Sequence, residues 1–193
     1  MKALPLTQAF PADYGIALAW AGSEDYFDYY AFDEGLLGAQ GEVLRLLVSP
    51  YDQPPWVGSF HAGYGSSNAW TGAVTLPDRD LMLVVAQGQG YTISVRNPKD
   101  SIPIREVFPI MHVHPIIEAE RVILGDFTTL AAHGPGGIVW RSRRLSWDGI
   151  ELTSVSKECI RGLAWSAPER SHVGFTVDPL TGEHSGGSSP ASE

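Results

Sequence analysis

Turn signals divide the sequence from Trp56 onward into short apolar stretches. The runs LMLVVAQ (81–87) and YTISV (91–95) are joined by GQG, and similar polar or glycine-rich links follow at NPKD (97–100) and GPGG (134–137). Short β-type runs at intervals of roughly 8–12 residues are typical of sandwiches, barrels and propellers. A chain of 193 residues can also bury a sizeable core. The pattern therefore predicts an all-β fold of antiparallel meanders.

A repeat refines this prediction. AQGQGYTISV (86–95) aligns with AHGPGGIVWR (132–141), and the stretch 159–187 has the same order of apolar strand, second strand and glycine turn. The latter resembles the blade repeat of quinoprotein-type β-propellers, whose Asp-x-x-Thr-Gly turn is matched by DPLTG (178–182). The resemblance implies propeller-like repeats, and the spacing fits a four-stranded blade of roughly 40–50 residues. A β-sandwich or barrel remains the alternative.

A second resemblance concerns WRSRRLSWDGIEL (140–152) and TGEHSGG (181–187). Together these stretches resemble a family of small bacterial all-β proteins with propeller-like repeats and no assigned activity. This resemblance implies a fold and no function.

For the domain organisation we expect one β-rich domain over residues 1–187. Residues 1–50 form an irregular acidic segment in this interpretation, because EDYFDYYAFDEG (24–35) mixes acids and aromatics without a clear period. The polar, glycine-rich end of the chain predicts a disordered tail over 188–193.

The net charge of −9 is concentrated near the N-terminus, where residues 1–42 contain seven acids and one lysine. Such a surface repels phosphate backbones, which argues against nucleic acid and anionic membranes as partners and favours a basic protein.

The single cysteine, Cys159, cannot form an internal disulfide, and we interpret it as a small buried apolar residue. Apolar runs are too short for a membrane span, so a soluble cytoplasmic protein is expected.

The motif HVHPIIE places His112 and His114 on one face of a predicted strand, with Glu118 in phase. Two imidazoles and a carboxylate suit a divalent transition metal. Together with Gly125, the spacing resembles the first metal motif of the cupin family. That resemblance implies a barrel and a metal-dependent enzyme.

Three residues depart from the cupin pattern. Glu106 stands where the family has a glycine, Pro115 follows the second histidine, and Trp140 occupies the position of the second motif's histidine. His61 and His133 are the other possible donors. Our preferred interpretation is therefore a polar strand face without a metal or other cofactor, with the metal enzyme as the alternative.

The acidic and aromatic stretch near the N-terminus predicts a partner-binding surface. Aromatic side chains supply contact area, and acids steer a basic partner. We therefore expect a non-catalytic interaction module that recognises a basic protein, as an immunity or inhibitor protein does, with a carbohydrate-binding module as another alternative. The predicted contact residues are Asp25, Tyr26, Asp28, Tyr29, Asp33 and Glu34.

Other chemistry receives less support from the sequence. GYGSSN (63–68) lacks the glycine that a nucleophile elbow requires after its serine. The arginines of WRSRRLSW (140–147) are expected to pair with the acidic N-terminal segment or to protect a sheet edge.

Overall fold

Seventeen strands make up the regular structure of the chain in a computed structural model, which describes residues 4–33, 41–62 and 68–190. In these ranges no α-helix occurs, and three 3-10 turns lie at Ser23–Asp25, Pro98–Asp100 and Ile117–Ala119. The predicted all-β class is confirmed. The strands are β1 (Leu6–Thr7), β2 (Tyr14–Leu18), β3 (Asp28–Phe32), β4 (Glu42–Pro50), β5 (Trp56–His61), β6 (Gly72–Thr75), β7 (Leu81–Ala86), β8 (Gln89–Ser94), β9 (Ile102–Pro103), β10 (His112–Ile116), β11 (Arg121–Gly125), β12 (Leu130–Gly134), β13 (Gly137–Arg141), β14 (Ile150–Val155), β15 (Ile160–Ser166), β16 (Ser171–Val177) and β17 (His184–Gly186).

The strands form four sheets, with the orders β1-β6-β7-β8-β9, β2-β4-β5-β3, β10-β11-β12-β13 and β14-β15-β16-β17. Neighbours in the sheet are mostly neighbours in the chain and run antiparallel, which confirms the predicted meanders. Two pairs are parallel, β1 with β6 and β3 with β5, and each places an N-terminal strand at the edge of its sheet.

The chain divides into two compact units, residues 1–110 and 111–193. In the first unit, the sheet containing β4 and β5 packs face to face with the sheet containing β7 and β8. Their inner side chains form one apolar cluster, as expected when two sheets each bury one face. Its buried members are Tyr14, Leu44, Leu46, Val48, Trp56, Phe60, Ala73, Met82, Val84, Ala86, Tyr91, Ile93 and Val95.

The second unit repeats this arrangement with its own two sheets. Alternate residues of β11, β12, β15 and β16 point inward, because side chains alternate between the faces of a strand. The buried members of its core are Ile116, Ile123, Leu130, Ala132, Leu145, Ile150, Ile160, Ala164, Phe175 and Val177.

Tight turns connect the hairpins, and the turn between β7 and β8 begins one residue before the predicted GQG link. Between β7 and β8 the two linking residues, Gln87 and Gly88, both have positive φ angles, 41° and 83°. This combination fits a type I′ turn, whose twist matches that of the flanking antiparallel strands. The register then brings Ala86 opposite Gln89.

The DPLTG turn is closed by its first residue. The Asp178 carboxylate accepts hydrogen bonds from the amides of Leu180 and Thr181, at 2.7 and 3.0 Å. Gly182 has a φ of 75°, and a Cβ there would come within 2.7 Å of the Trp140 ring. The Trp140 indole in turn donates to the Pro179 carbonyl at 3.0 Å. The turn therefore packs against a particular aromatic side chain.

Three segments differ from the sequence prediction. The N-terminal segment is more regular than expected, since β2 pairs with β4 over five residues. The predicted tail begins with an ordered residue, because Ser188 donates its amide to the Leu145 carbonyl at 2.8 Å. The strand predicted at HVHPIIE ends before Glu118, since only His112–Ile116 pair with β11. Val107 and Ile110 are buried in the first unit.

Gly182→Ala should lower the free energy of unfolding by about 2 kcal/mol, because alanine is strained at positive φ and its methyl group meets Trp140. Gly174→Ala is the matched control, since a Cβ there has no atom within 4 Å. Urea denaturation of both variants checks this prediction. Equal stability of the two would contradict the packing of this turn on Trp140.

Candidate functional site

Strand β3 lies at the edge of its sheet, with β5 as its neighbour. Its even-numbered aromatic residues point into the first unit. The Tyr30 ring meets Trp56 edge to face at a centroid distance of 5.5 Å, and the Phe32 ring stacks on Phe60 at 4.7 Å. These contacts fix the face that β3 presents to the core, so the intervening residues must face outward.

The residues that the sequence predicts as partner contacts lie in β3 or beside it in the chain, and those that the structure describes are exposed. Asp25, Asp28 and Asp33 are exposed, while Tyr26 and Tyr29 have exposed fractions of 77% and 44%. The sixth predicted contact residue, Glu34, lies outside the described residues. Partner binding itself remains a prediction.

A groove runs along β3, and we call it the edge groove. One wall is the strand segment 29–33, and the other consists of Tyr91, Pro98, Lys99, Ser101 and Pro103. Its volume is about 380 Å³. The second wall includes part of β9, which is itself the edge of the other sheet in this unit. The Tyr91 hydroxyl donates to the Phe32 carbonyl at 3.2 Å at the base of the groove.

Other apolar side chains are exposed at the end of β2, the strand at the opposite edge of this sheet from β3. Leu18 and Trp20 are both about half exposed, and the Trp20 ring contacts Phe27 edge to face at 6.0 Å. Neither residue is among the contacts predicted from the sequence. The available signal was the alternation along YGIALAW (14–20), which places Tyr14 and Leu18 on one face of the strand. In the structure Tyr14 is buried and Leu18 is exposed.

The carboxylates near this surface fall into two groups. Arg45 pairs with Glu24 and Glu42, at 2.7 and 3.0 Å. A hydrogen bond with its own backbone amide lowers the pKa of Glu24, and the charge of Arg45 lowers it further. By contrast, Asp25, Asp28 and Asp33 make no ion pair with the described residues. These three carboxylates are thus available to an external cation.

The two histidines of HVHPIIE lie on one face of β10, as the sequence predicts. Their rings are nearly parallel, with centroids 6.3 Å apart, and His112 Nε2 lies 3.0 Å from the Ile150 carbonyl oxygen. This contact fits an N–H that donates to the carbonyl. Burial lowers the pKa of both histidines, and the charge of His112 lowers that of His114 further. Both side chains therefore favour the neutral form.

Glu118 does not continue the face of these histidines. The strand ends at Ile116, and Glu118 lies exposed in the following 3-10 turn. Within the described ranges, no three His, Cys, Asp or Glu side chains are close enough together to hold a metal ion. The described residues therefore do not provide the three-ligand arrangement that the cupin resemblance implies.

The position of Gly125 has a packing explanation. In the antiparallel register of β10 and β11, Gly125 lies directly opposite His112. A Cβ at Gly125 would come within 3.2 Å of His112 Cδ2 and 2.9 Å of Leu130 Cδ2. Gly125 therefore leaves space for the imidazole of His112. The spacing of these two residues, which resembles a metal motif, is explained by this packing.

Another polar cluster brings together residues that the sequence analysis did not connect. Ser59 is fully buried in β5, and its hydroxyl donates to the Glu42 carboxylate on β4. His61 Nε2 lies 3.5 Å from the same hydroxyl oxygen. A nucleophilic serine would need histidine between itself and the acid. In this cluster Ser59 lies between His61 and Glu42 and donates to the Glu42 carboxylate. This arrangement supports a structural role for the serine.

Stability should fall as the pH drops below about 6.5, where histidines of the unfolded chain take up protons. The lowered pKa values mean that the folded protein binds fewer protons than the unfolded chain in this range, so acid favours unfolding. His114→Gln should reduce the loss between pH 7.5 and pH 5.5, as measured by urea denaturation in EDTA. His172→Gln, at an exposed position, is the control for replacing a histidine by glutamine.

Protein purified without an affinity tag should contain only substoichiometric transition metal by elemental analysis, because Glu118 lies off the histidine face. One equivalent of metal that is lost in His112→Ala would contradict this prediction and support the cupin-like alternative.

No α-helix in the described ranges has the length and apolarity needed to cross a bilayer.

No protein-family model and no curated protein matches the sequence. Among solved structures, the N-terminal domain of Nup159 is similar at 11% identity and a TM-score of 0.41, over 97% of this chain. The chain spans 55% of the length of that structure. Similarity at this level carries no argument about function, and the all-β assignment is based on the strands themselves.

Proposed function

We propose that this chain is a protein-interaction module whose edge groove binds an extended, basic segment of a partner protein. The observation that carries the proposal is the position of β3, an edge strand with an acidic and aromatic outer face beside a groove. A basic protein that is covered or inhibited in this way is the partner class that we favour.

The shape of the groove supports an extended ligand. Both walls include a sheet edge, β3 on one side and β9 on the other. Edge strands offer unpaired backbone groups with which an added strand can form hydrogen bonds. Five residues of β3, at about 3.3 Å per residue, can accompany a segment of similar length.

The charge around β3 supports a basic sequence in that segment. Asp28 begins β3, Asp33 directly follows it, and Asp25 lies nearby in the chain. All three residues are exposed. Lys99 on the opposite wall has the opposite charge. Basic side chains of the partner are therefore expected to face β3 and to avoid the Lys99 wall.

Exposed tyrosine rings add apolar contact area for the partner to the attraction provided by the carboxylates. Tyr29 lies in the groove wall, and Tyr26 is the most exposed of the large apolar side chains in the described ranges. A lysine or arginine over a tyrosine ring gains cation–π attraction of roughly 0.5–1 kcal/mol at an exposed site. The same rings could stack on a sugar, so the test must separate peptide from carbohydrate.

The test compares a fluorescent lysine- and arginine-rich peptide with its acidic counterpart and a panel of glycans. The basic peptide should bind in a salt-sensitive manner, because exposed charges are screened by salt. Asp25→Lys, Asp28→Lys and Asp33→Lys in combination should weaken binding at least about tenfold. Fluorescence anisotropy measures the dissociation constants.

The matched control is the combination Asp148→Lys, Glu151→Lys and Glu169→Lys. These three exposed acids lie in the second unit, and the combination changes the net charge by the same amount. It should retain most of the binding. If both combinations weaken binding equally, the effect comes from the overall charge of the protein and not from the surface around β3, which contradicts the proposal. Binding of glycans without binding of the basic peptide would also refute it.

A further inference from the structure

A second cleft, in the unit comprising residues 111–193, has the opposite electrostatic character. We call it the arginine cleft, and it is lined by Thr129, Arg141, Arg143, Arg144, His184 and Ser189. It lies beside β13 and β17, which are edge strands of the two sheets in this unit. Its volume is about 590 Å³. Positive side chains thus converge locally on a protein with a net charge of −9.

Little of this positive charge is neutralised by the described residues. Arg141 is half exposed, and its guanidinium lies 3.9 Å from the Asp126 carboxylate. That carboxylate already accepts hydrogen bonds from the amides of Thr128 and Thr129, both at 2.7 Å. No carboxylate among the described residues pairs with Arg143 or Arg144.

Arg144 is held in place by neutral acceptors. Its guanidinium donates to the carbonyl oxygens of Ser146 and Trp147, at 2.9 and 2.7 Å. These bonds use two of its five N–H groups and leave its charge uncompensated. A guanidinium fixed in this way loses little conformational entropy when it binds a ligand.

The backbone that carries the arginines is also anchored. The amide of Ser142 donates to the Leu130 carbonyl at 2.8 Å, and the Ser142 hydroxyl accepts from the Leu130 amide at 3.0 Å. Leu145 donates to the Thr128 carbonyl at 2.7 Å, and Ser188 donates to the Leu145 carbonyl at 2.8 Å. The segment is therefore positioned before any ligand arrives, as an effective binding site requires.

We propose that the arginine cleft binds the phosphate monoester group of a small ligand. Guanidinium groups match phosphate oxygens in bidentate geometry, and the exposed hydroxyl of Ser189 can donate to the same oxygens. The cleft is much larger than one phosphate ion and lies within the usual range of small-molecule sites, roughly 300–1,000 Å³. It therefore has room for the organic group that carries the phosphate.

The site is independent of the edge groove, because its residues all belong to the other unit and its charge selects the opposite kind of ligand. The sequence predicts that the arginines of the basic strand pair within the molecule or protect a sheet edge. The sequence does not indicate that His184, some 40 positions later, lines the same cleft.

Titration of ¹⁵N-labelled protein with O-phospho-L-serine, inorganic phosphate and serine tests the proposal. Phosphoserine should shift the backbone amide signals near 129, 141–144 and 184 saturably, and serine should not. Inorganic phosphate should shift the same signals. A lower dissociation constant for phosphoserine than for inorganic phosphate would show that the cleft recognises the ester and not the free ion alone.

Arg141→Gln combined with Arg143→Gln should weaken phosphoserine binding at least about tenfold, because two of the three guanidinium groups that line the cleft are removed. Arg161→Gln, at an exposed arginine of the same unit outside the cleft, is the control and should bind as the wild type does. Arg143→Lys keeps the charge without the bidentate geometry and should give an intermediate affinity. Binding that is unchanged in the double variant, or shifts that map elsewhere, would overturn the proposal.

Discussion

Backbone pairing between strands that are consecutive in the chain is the constraint on which the rest of this structure depends. Each antiparallel ladder fixes which residues lie opposite one another, and the alternation of side chains then decides which of them enter the core. The same alternation applies in β3, which pairs in parallel with β5: it places Tyr30 and Phe32 among the aromatic rings of the core and turns Tyr29 outward. The same rule brings Gly125 under the imidazole of His112.

An open meander has two edges, and both surfaces that we propose as binding sites lie at such edges. The edge groove lies beside β3 and β9, and the arginine cleft lies beside β13 and β17. Edges are where a sheet leaves backbone groups unpaired and where charged residues are commonly placed to discourage aggregation. Here the charges differ in sign between the two clefts, so each selects a different class of ligand.

Much of the fold was predictable, because turn chemistry and strand periodicity are local properties. The DPLTG turn forms as expected, since glycine tolerates positive φ and Asp178 can bond to the following amides. The turn expected at GQG forms one residue earlier in the chain, at Gln87 and Gly88. The extent of β10 was not predictable, because Val107 and Ile110 are buried through contacts that are distant in sequence. For the same reason, the contact between Ser59 and Glu42 could not be inferred from the chain.

By itself, the sequence determined the all-β class, the antiparallel hairpins and the acidic, aromatic character of the segment around β3. Each of these follows from interactions between residues close in the chain. Only the tertiary structure decided that β3 occupies a sheet edge and pairs in parallel with β5, and that Glu118 leaves the face of His114. It also decided that Arg143 and His184 line one cleft. These outcomes depend on which distant strands pair, and pairing is selected by the burial of whole faces.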